Sequence, residues 1–101
     1  MNDGIDRFVD KLSWVYTHYD LDTHKLLMLG VCNDWWISGK IRVTDLLKSY
    51  KATSPATTHR NIHSLIENKL LKVVVDKNDK RQKYLVEGAN FSKLESVLGG
   101  K

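Results

Sequence analysis

The chain has 101 residues, enough for one hydrophobic core and too few for us to expect a second. With 42% hydrophobic and 28% charged residues, its composition is that of a soluble globular protein rather than a disordered or membrane-spanning one. Four of the first ten residues are charged and no apolar run follows, so we expect no signal peptide and a cytoplasmic protein.

The charge is distributed unevenly along the sequence. Residues 1–39 carry three basic and six acidic side chains, a balance of −3, whereas residues 40–101 carry the remaining 13 basic and six acidic ones, a balance of +7. Ordinary solvated surface charge could give such an asymmetry, but so could a polyanionic partner of the second part. The positions of the basic residues must therefore decide between the two.

Residues with catalytic, redox or metal-binding chemistry are few. Cys32 is the only cysteine, and its apolar neighbours favour a buried, unreactive thiol over a redox sensor. His59 and His63 are spaced to share a helix face, but no third metal ligand is evident. No glycine-rich phosphate loop, nucleophile elbow or spaced carboxylate pair is present. We therefore expect neither an enzyme nor a bound metal or cofactor.

Two helices are predicted before residue 40. Apolar residues from Ile5 to Tyr19 recur at helical spacing and form one stripe. A second helix is expected to begin at Asp22 or Thr23, either of which could cap it, and to end at Gly39. Its apolar residues lie on more than one side, so it should be central to the core or covered by another chain. Trp14, Trp35 and Trp36 are expected to be core or dimer contacts.

A strand and two helices are expected next. Residues 40–43 favour a short extended segment, after which Thr44 is predicted to cap a brief helix over residues 45–50. Ser54 followed by Pro55 is a strong helix start, because serine caps free amides and proline is tolerated at the first helical position. We expect that helix to run to about Asn68.

The last third changes to the two-residue period of strands. Residues 72–75 and 82–86 are predicted to pair as a hairpin across a turn at 76–80. Ser92, with Glu95 three residues later, predicts a capping box for a short helix that ends before Gly99. The expected fold is mostly α with a small β-hairpin (α+β), in the order α-α-β-α-α-β-β-α.

The helix that begins at Ser54 has a face suited to DNA. Thr58, Ile62, Leu65 and Ile66 fall on one side, and the other side carries small, hydroxyl and basic residues with little acid. Such a face can enter a major groove, where hydroxyls reach phosphates and an arginine can bridge guanine O6 and N7. An ordinary solvated face is the commoner meaning of this pattern in an isolated helix. The residues predicted to contact DNA here are Ser54, Thr57, Arg60, His63 and Ser64.

The hairpin strengthens the DNA-binding interpretation. Lys77, Lys80, Arg81 and Lys83 lie at its tip and flanks, where basic side chains can follow phosphates or enter a minor groove. Lysines also protect sheet edges from aggregation, so a basic hairpin alone would mean little. The brief helix over residues 45–50, the turn after it and the helix that begins at Ser54 together form a helix-turn-helix. A helix-turn-helix followed by a basic hairpin is much harder to obtain by chance than either feature alone.

These segments resemble the winged helix domain of the MarR family of bacterial and archaeal regulators. The similar residues are Thr44 to Leu47, then Ser54 with Thr57 and Arg60, then Leu65 to Leu71, and finally the wing with Asp79-Lys80-Arg81 and Tyr84 to Gly88. The resemblance implies that Arg81 enters the minor groove, that Asp79 orients the wing, and that Thr57, Arg60 and Ser64 face the major groove.

The chain also departs from the family pattern. Lys69 stands where the family often has glycine, so Lys69 or Asn68 must adopt the left-handed turn after the recognition helix. Family members usually have longer terminal helices that form the dimer. In this chain residues 5–19, with exposed parts of the second helix, would have to supply any dimer surface.

The leading hypothesis is a sequence-specific regulator that binds double-stranded DNA as a dimer and is associated with the nucleoid. Residues 1–101 would form a single winged helix domain, with 1–39 for the core and dimer, 40–88 for DNA, and 89–101 as a short terminal helix. A small-molecule effector is what the resemblance would allow, but no residue points to one. The alternatives are a winged helix that binds proteins and an accessory factor with little sequence preference.

Overall fold

The computed structural model of the chain describes residues 3–99. Five helices and three strands follow one another in the predicted order. They are α1 (Asp3–His18), α2 (Thr23–Ser38), β1 (Ile41–Arg42), α3 (Val43–Ser49), α4 (Pro55–Glu67), β2 (Leu71–Val75), β3 (Lys83–Glu87) and α5 (Phe91–Gly99). The predicted fold class is confirmed.

The three strands form one antiparallel sheet in the order β1-β3-β2. Leu85 in the central strand pairs with Ile41 of β1 on one side and with Val73 of β2 on the other. Since side chains alternate along a strand, Ile41, Leu71 and Leu85 all face the helices and are buried. The sheet thereby fixes the hairpin against the helical core.

The core lies between α2, α4 and the sheet. Its largest fully buried side chains include Met28 and Cys32 from α2, Leu46 from α3, and Leu65 from α4. Burial raises the pKa of the Cys32 thiol to about 12, so the group stays protonated. The predicted burial of Cys32 is confirmed.

Trp36 connects α2 to both the sheet and the last helix. Its indole Nε1 donates to the carbonyl oxygen of Leu85 at 2.8 Å, and its ring meets Phe91 edge-on with centroids 5.1 Å apart. Trp36 is therefore a core contact, as predicted. Trp14 and Trp35 are more exposed, and Trp14 stacks on His18 with centroids 4.5 Å apart.

Two predicted helix starts are wrong. Helix α3 begins at Val43 rather than after Thr44, because the carboxylate of Asp45 accepts from the backbone N–H of Arg42 at 2.9 Å. Helix α5 begins at Phe91, one residue before the predicted cap Ser92. Phe91 is buried in the core, and the carbonyl oxygen of Asn90 accepts a hydrogen bond from the backbone N–H of Leu94.

The other predicted boundaries are close to those observed. Asp22 caps α2, accepting from the backbone N–H of Lys25 at 2.9 Å, and the N–H of Gly39 closes its end. Ser54 caps α4 and Pro55 is its first residue. Of the two candidates for the left-handed turn after α4, Lys69 adopts it, with φ of 61°.

The exit of α4 is tied to the exit of β3. Gly88 donates its backbone N–H to the carbonyl oxygen of Leu70, and Asn90 donates to that of Lys69. A Cβ on Gly88 would lie 2.3 Å from the Lys69 oxygen, so only glycine fits. This close approach holds the exit of β3 against the segment that joins α4 to β2.

Candidate nucleic-acid interface

The amino end of α4 presents a short hydrogen-bonded series of polar side chains. The hydroxyl of Ser54 accepts from the backbone N–H of Thr57 at 3.2 Å and donates to the Thr57 hydroxyl at 3.0 Å. The guanidinium of Arg60 donates to that same hydroxyl at 3.2 Å. Three of the predicted DNA-binding residues therefore lie together, one turn apart, on the exposed side of α4.

The opposite side of α4 holds the helix in place. Thr58, Ile62 and Leu65 are buried, as the helical period predicts. The hydroxyl of Thr58 lies 2.7 Å from that of Thr53 in the turn after α3, which satisfies the only buried polar side chain found among residues 3–99. The exposed face of α4 is thus presented by a rigidly packed helix.

The hairpin tip is ordered by two aspartates. The carboxylate of Asp76 accepts from the backbone N–H groups of Asn78 and Asp79 at 2.8 and 3.1 Å, and these bonds lower its pKa. Asp79 in turn accepts from the backbone N–H of Arg81 at 3.0 Å and from its Nε at 3.3 Å. The Arg81 side chain remains 93% exposed. Asp79 therefore holds the guanidinium of Arg81 at Nε while the side chain stays open to solvent.

A cleft of about 560 Å³ separates α4 from the wing, defined as residues 71–87. His59 and His63 line it from α4, and Arg81 and Lys83 line it from the wing, over an apolar floor that includes Ile66. Side chains from both α4 and the wing therefore line the same cleft. This arrangement joins the helix face and the hairpin into one candidate surface.

The structure places eight of the nine predicted site residues in three groups. Ser54, Thr57 and Arg60 cluster at the amino end of α4, whereas His63, Arg81 and Lys83 line the cleft. Lys77 and Lys80 are exposed in the turn at the hairpin tip. Ser64, the ninth residue, is half-buried, as is Thr57.

Two residues of this surface were not among those predicted from the sequence. His59 was considered only as half of a metal pair, yet it is exposed beside His63 with ring centroids 4.6 Å apart. Its place four residues before His63, one helical turn away, could have indicated it. Arg42 also lines the cleft, and no local pattern in the sequence signals that.

Metal and membrane sites receive no support from the structure. Among residues 3–99, no three histidine, cysteine or acidic side chains are grouped as metal ligands. Within the same range, every helix is too short or too polar to cross a bilayer.

Comparison with known proteins finds similarity in structure and none in sequence. No family model matches the chain, and no curated protein matches it. A DNA complex of S. aureus MepR superposes with a TM-score of 0.73 at 18% identity, over 94% of this chain and 75% of that one. Bordetella bronchiseptica BpsR, whose DNA binding is regulated by 6-hydroxynicotinic acid, gives 0.61 at 24% identity, over 92% and 65%.

A third solved structure carries the family description in its name. It is a putative MarR-like transcription regulator from Bacillus cereus, with a TM-score of 0.60 at 15% identity, over 97% of this chain and 68% of that one. The similarity extends over nearly the whole of this chain in all three cases, including the helices outside the helix-turn-helix. The chain therefore has the winged helix-turn-helix fold of the MarR-like regulators.

Proposed function

We propose that the chain is a transcription regulator that binds double-stranded DNA in a sequence-specific manner. The observation that carries this proposal is that His59 and His63 of α4 and Arg81 and Lys83 of the wing line one cleft. A helix face and a flanking hairpin so arranged suit a major groove and its neighbouring minor groove. The DNA named in the MepR complex is consistent with the same use of the fold.

Each side chain has a role that follows from its position. Arg60 projects from α4 with its guanidinium steadied by Thr57, which suits a bidentate contact to guanine. Arg81 extends from the wing with a fixed base, which suits a narrow groove. Lys77, Lys80 and Lys83 would neutralise phosphates and contribute affinity without sequence preference. Ser54 and His63 would add contacts near the backbone of the duplex.

We further propose that the regulator acts as a homodimer, with residues 1–39 and 89–101 supplying the dimer surface and residues 40–88 the DNA surface. The support is the exposed apolar side of α1, where Ile5, Phe8 and Val9 are more than half exposed. A two-fold dimer would place two α4 helices on successive half-sites of a pseudo-palindrome. The protein would then occupy promoters in the cytoplasm, at the nucleoid, and block or reposition polymerase.

The proposal is tested by fluorescence anisotropy on random duplex DNA at two salt concentrations, followed by selection of a preferred sequence from a library. We expect binding that weakens with salt, and a selected site bound at least about a thousandfold more tightly than random DNA. Absence of binding at low salt would overturn the proposal and favour a protein-binding module. Salt-sensitive binding without sequence preference would favour the accessory factor.

Two arginine variants locate the surface. Arg60→Ala should weaken binding to the selected site by about 10- to 100-fold and relax its sequence preference. Arg81→Ala should weaken binding to all sequences more evenly and reduce the slope of log K against log salt concentration by about one. Lys93→Ala is the control, because it removes one exposed positive charge from α5, outside the candidate DNA surface. Light scattering must show that this variant keeps the oligomeric state of the wild type, since α5 belongs to the proposed dimer surface. If the control matched either variant, the surface would be wrongly placed.

A further inference from the structure

Arg42 makes a forked contact at the start of α3. Its Nε lies 3.1 Å from Oδ2 of Asp45 and its Nη2 lies 3.0 Å from Oδ1, so the two planar groups meet side by side. The backbone N–H of Arg42 also donates to Asp45. Such a bidentate pair fixes the plane of the guanidinium, which a single contact would not do.

The remaining nitrogen of the same guanidinium faces the wing. Nη1 of Arg42 lies 3.4 Å from Oε1 of Gln82, a residue 40 positions away in sequence. Gln82 closes the hairpin turn, because its backbone N–H donates to Asp79 and its carbonyl oxygen accepts from Asp76, both at 2.9 Å. A side-chain contact to Gln82 therefore reaches the turn that carries Arg81.

The other end of the connection is rigid. Asp45 lies in α3, and the next residue, Leu46, is fully buried in the core, as is Leu65 of α4. The hydroxyl contact between Thr53 and Thr58 fixes the turn between the two helices. Anything held by Asp45 is thus held in a constant position relative to α4.

We infer that Arg42 is a positioning residue that sets the wing relative to α4 by bridging Asp45 and Gln82. Through this bridge it determines where Arg81 can reach when α4 lies in a groove. The inference rests on the proposed function for the statement about DNA, but the bridge itself is a property of the free protein. A direct phosphate contact by Arg42, whose side chain is 43% exposed, is the alternative that the test must separate.

The first test measures hydrogen exchange of the free protein in Arg42→Lys and Gln82→Ala. Lysine keeps the charge but cannot form the fork, and Gln82→Ala removes only the acceptor on the wing. We expect faster exchange at the backbone N–H groups of residues 78–82 in both variants and unchanged exchange in α4. Unchanged exchange in the hairpin turn of both variants would overturn the inference. Should Arg42→Lys fail to fold, Gln82→Ala carries the test alone.

The second test is a double-mutant cycle on the selected DNA site. If Arg42 positions the wing, Arg81→Ala should cost less binding in the Arg42→Lys or Gln82→Ala background than in the wild type, by about twofold or more. A direct phosphate contact would instead leave Gln82→Ala at wild-type affinity and make the Arg42 and Arg81 effects multiply independently, which overturns the inference. A loss of affinity that leaves the cost of Arg81→Ala unchanged would be purely structural and would also overturn the inference.

The two proposals can fail separately. If the wild type binds no DNA while exchange in the hairpin turn still responds to both variants, the bridge is supported and the proposed function is overturned. If DNA binding is specific but the hairpin turn and the cycle do not respond, the proposed function stands and the positioning role is overturned.

Discussion

Helices α1 and α4 have the same kind of sequence pattern, but the chain uses the two apolar stripes differently. In α4 the stripe is covered, and Ile62 is only 2% exposed. In α1 the stripe is largely open, and Ile5 is 62% exposed. Among the residues that the structure describes, only Val15 is fully buried within α1. A helical period therefore predicts an apolar face, but not whether that face is buried within the same chain.

Formal charge does not separate the two helices in the same way. The exposed part of α1 carries Asp3, Asp6 and Asp10 beside Arg7 and Lys11, a balance of −1, and α4 carries Arg60 and Glu67, a balance of 0. The exposed positive charge near α4 comes from the wing, which carries Lys77, Lys80, Arg81 and Lys83. The two helices therefore differ in the exposure of their apolar side chains, and the candidate DNA surface depends on α4 and the wing together.

The largest expected effect is on the free energy of unfolding, when an isoleucine of α4 is replaced by alanine and compared with the same replacement in α1. Ile62→Ala should lower the free energy of unfolding by about 3 kcal/mol, because it leaves a cavity in the packed core. Ile5→Ala should change it by less than about 0.5 kcal/mol when measured under conditions where the protein is monomeric. Urea unfolding followed by circular dichroism checks both. Equal losses would mean that α1 is packed against its own chain more tightly than the structure shows.

A pair of glycine variants sharpens the contrast between the closed and open regions. Gly88→Ala should destabilise the protein by about 2 to 3 kcal/mol, because the new Cβ would collide with the backbone of Lys69. Gly30→Ala, on the exposed side of α2 with no atom near the new Cβ, should stabilise it by about 0.5 to 1 kcal/mol. Thermal unfolding of the two variants should therefore shift in opposite directions. A shift in the same direction would contradict the assignment of one site as crowded and the other as open.

The open stripe of α1 can be tested as a dimer surface. Phe8→Ser should raise the dimer dissociation constant by about tenfold or more, because each copy would lose a large apolar contact. Sedimentation equilibrium measures the change, and Thr17→Ala, an exposed position about half a turn around α1 from Phe8, is the control. A dimer unaffected by Phe8→Ser would place the interface elsewhere, and a wild type that is monomeric throughout would remove it.

The smallest effect concerns the pH dependence of the Arg42–Asp45 pair. Hydrogen bonds from Arg42 hold the pKa of Asp45 below its ordinary value of about 3.9. Its contribution to stability is therefore present above that ordinary pKa and is lost as the pH falls through the lowered one. Asp45→Asn should lower the Tm by about 2 °C at pH 7 and by progressively less below pH of about 4. If the difference in Tm between Asp45→Asn and the wild type were the same at every pH, the negative charge of Asp45 would make no contribution to stability.

Local signals in the sequence determined most of the elements that form the candidate surface. Ser54 and Pro55 specify the start of α4 wherever the segment lies, because capping a free amide and fixing φ are properties of those residues alone. The turn between β2 and β3 is likewise local, since Asp76 bonds to N–H groups two and three residues later. The order of elements followed from such short-range rules. Of the nine predicted site positions, seven are exposed, and Thr57 and Ser64 are half-buried.

Contacts between distant residues decided the rest. Lys69 adopts the left-handed turn at a point where its carbonyl oxygen accepts from the backbone N–H of Asn90, and the missing side chain of Gly88 leaves room for that oxygen. Helix α5 begins at Phe91, whose ring packs against that of Trp36. The bridge from Arg42 to Gln82 depends on the pairing of β1 with β3. Short-range rules concern residues within about one helical turn or one strand pair. The free energy of burial acts between segments far apart in sequence, so only the folded chain shows which of them meet.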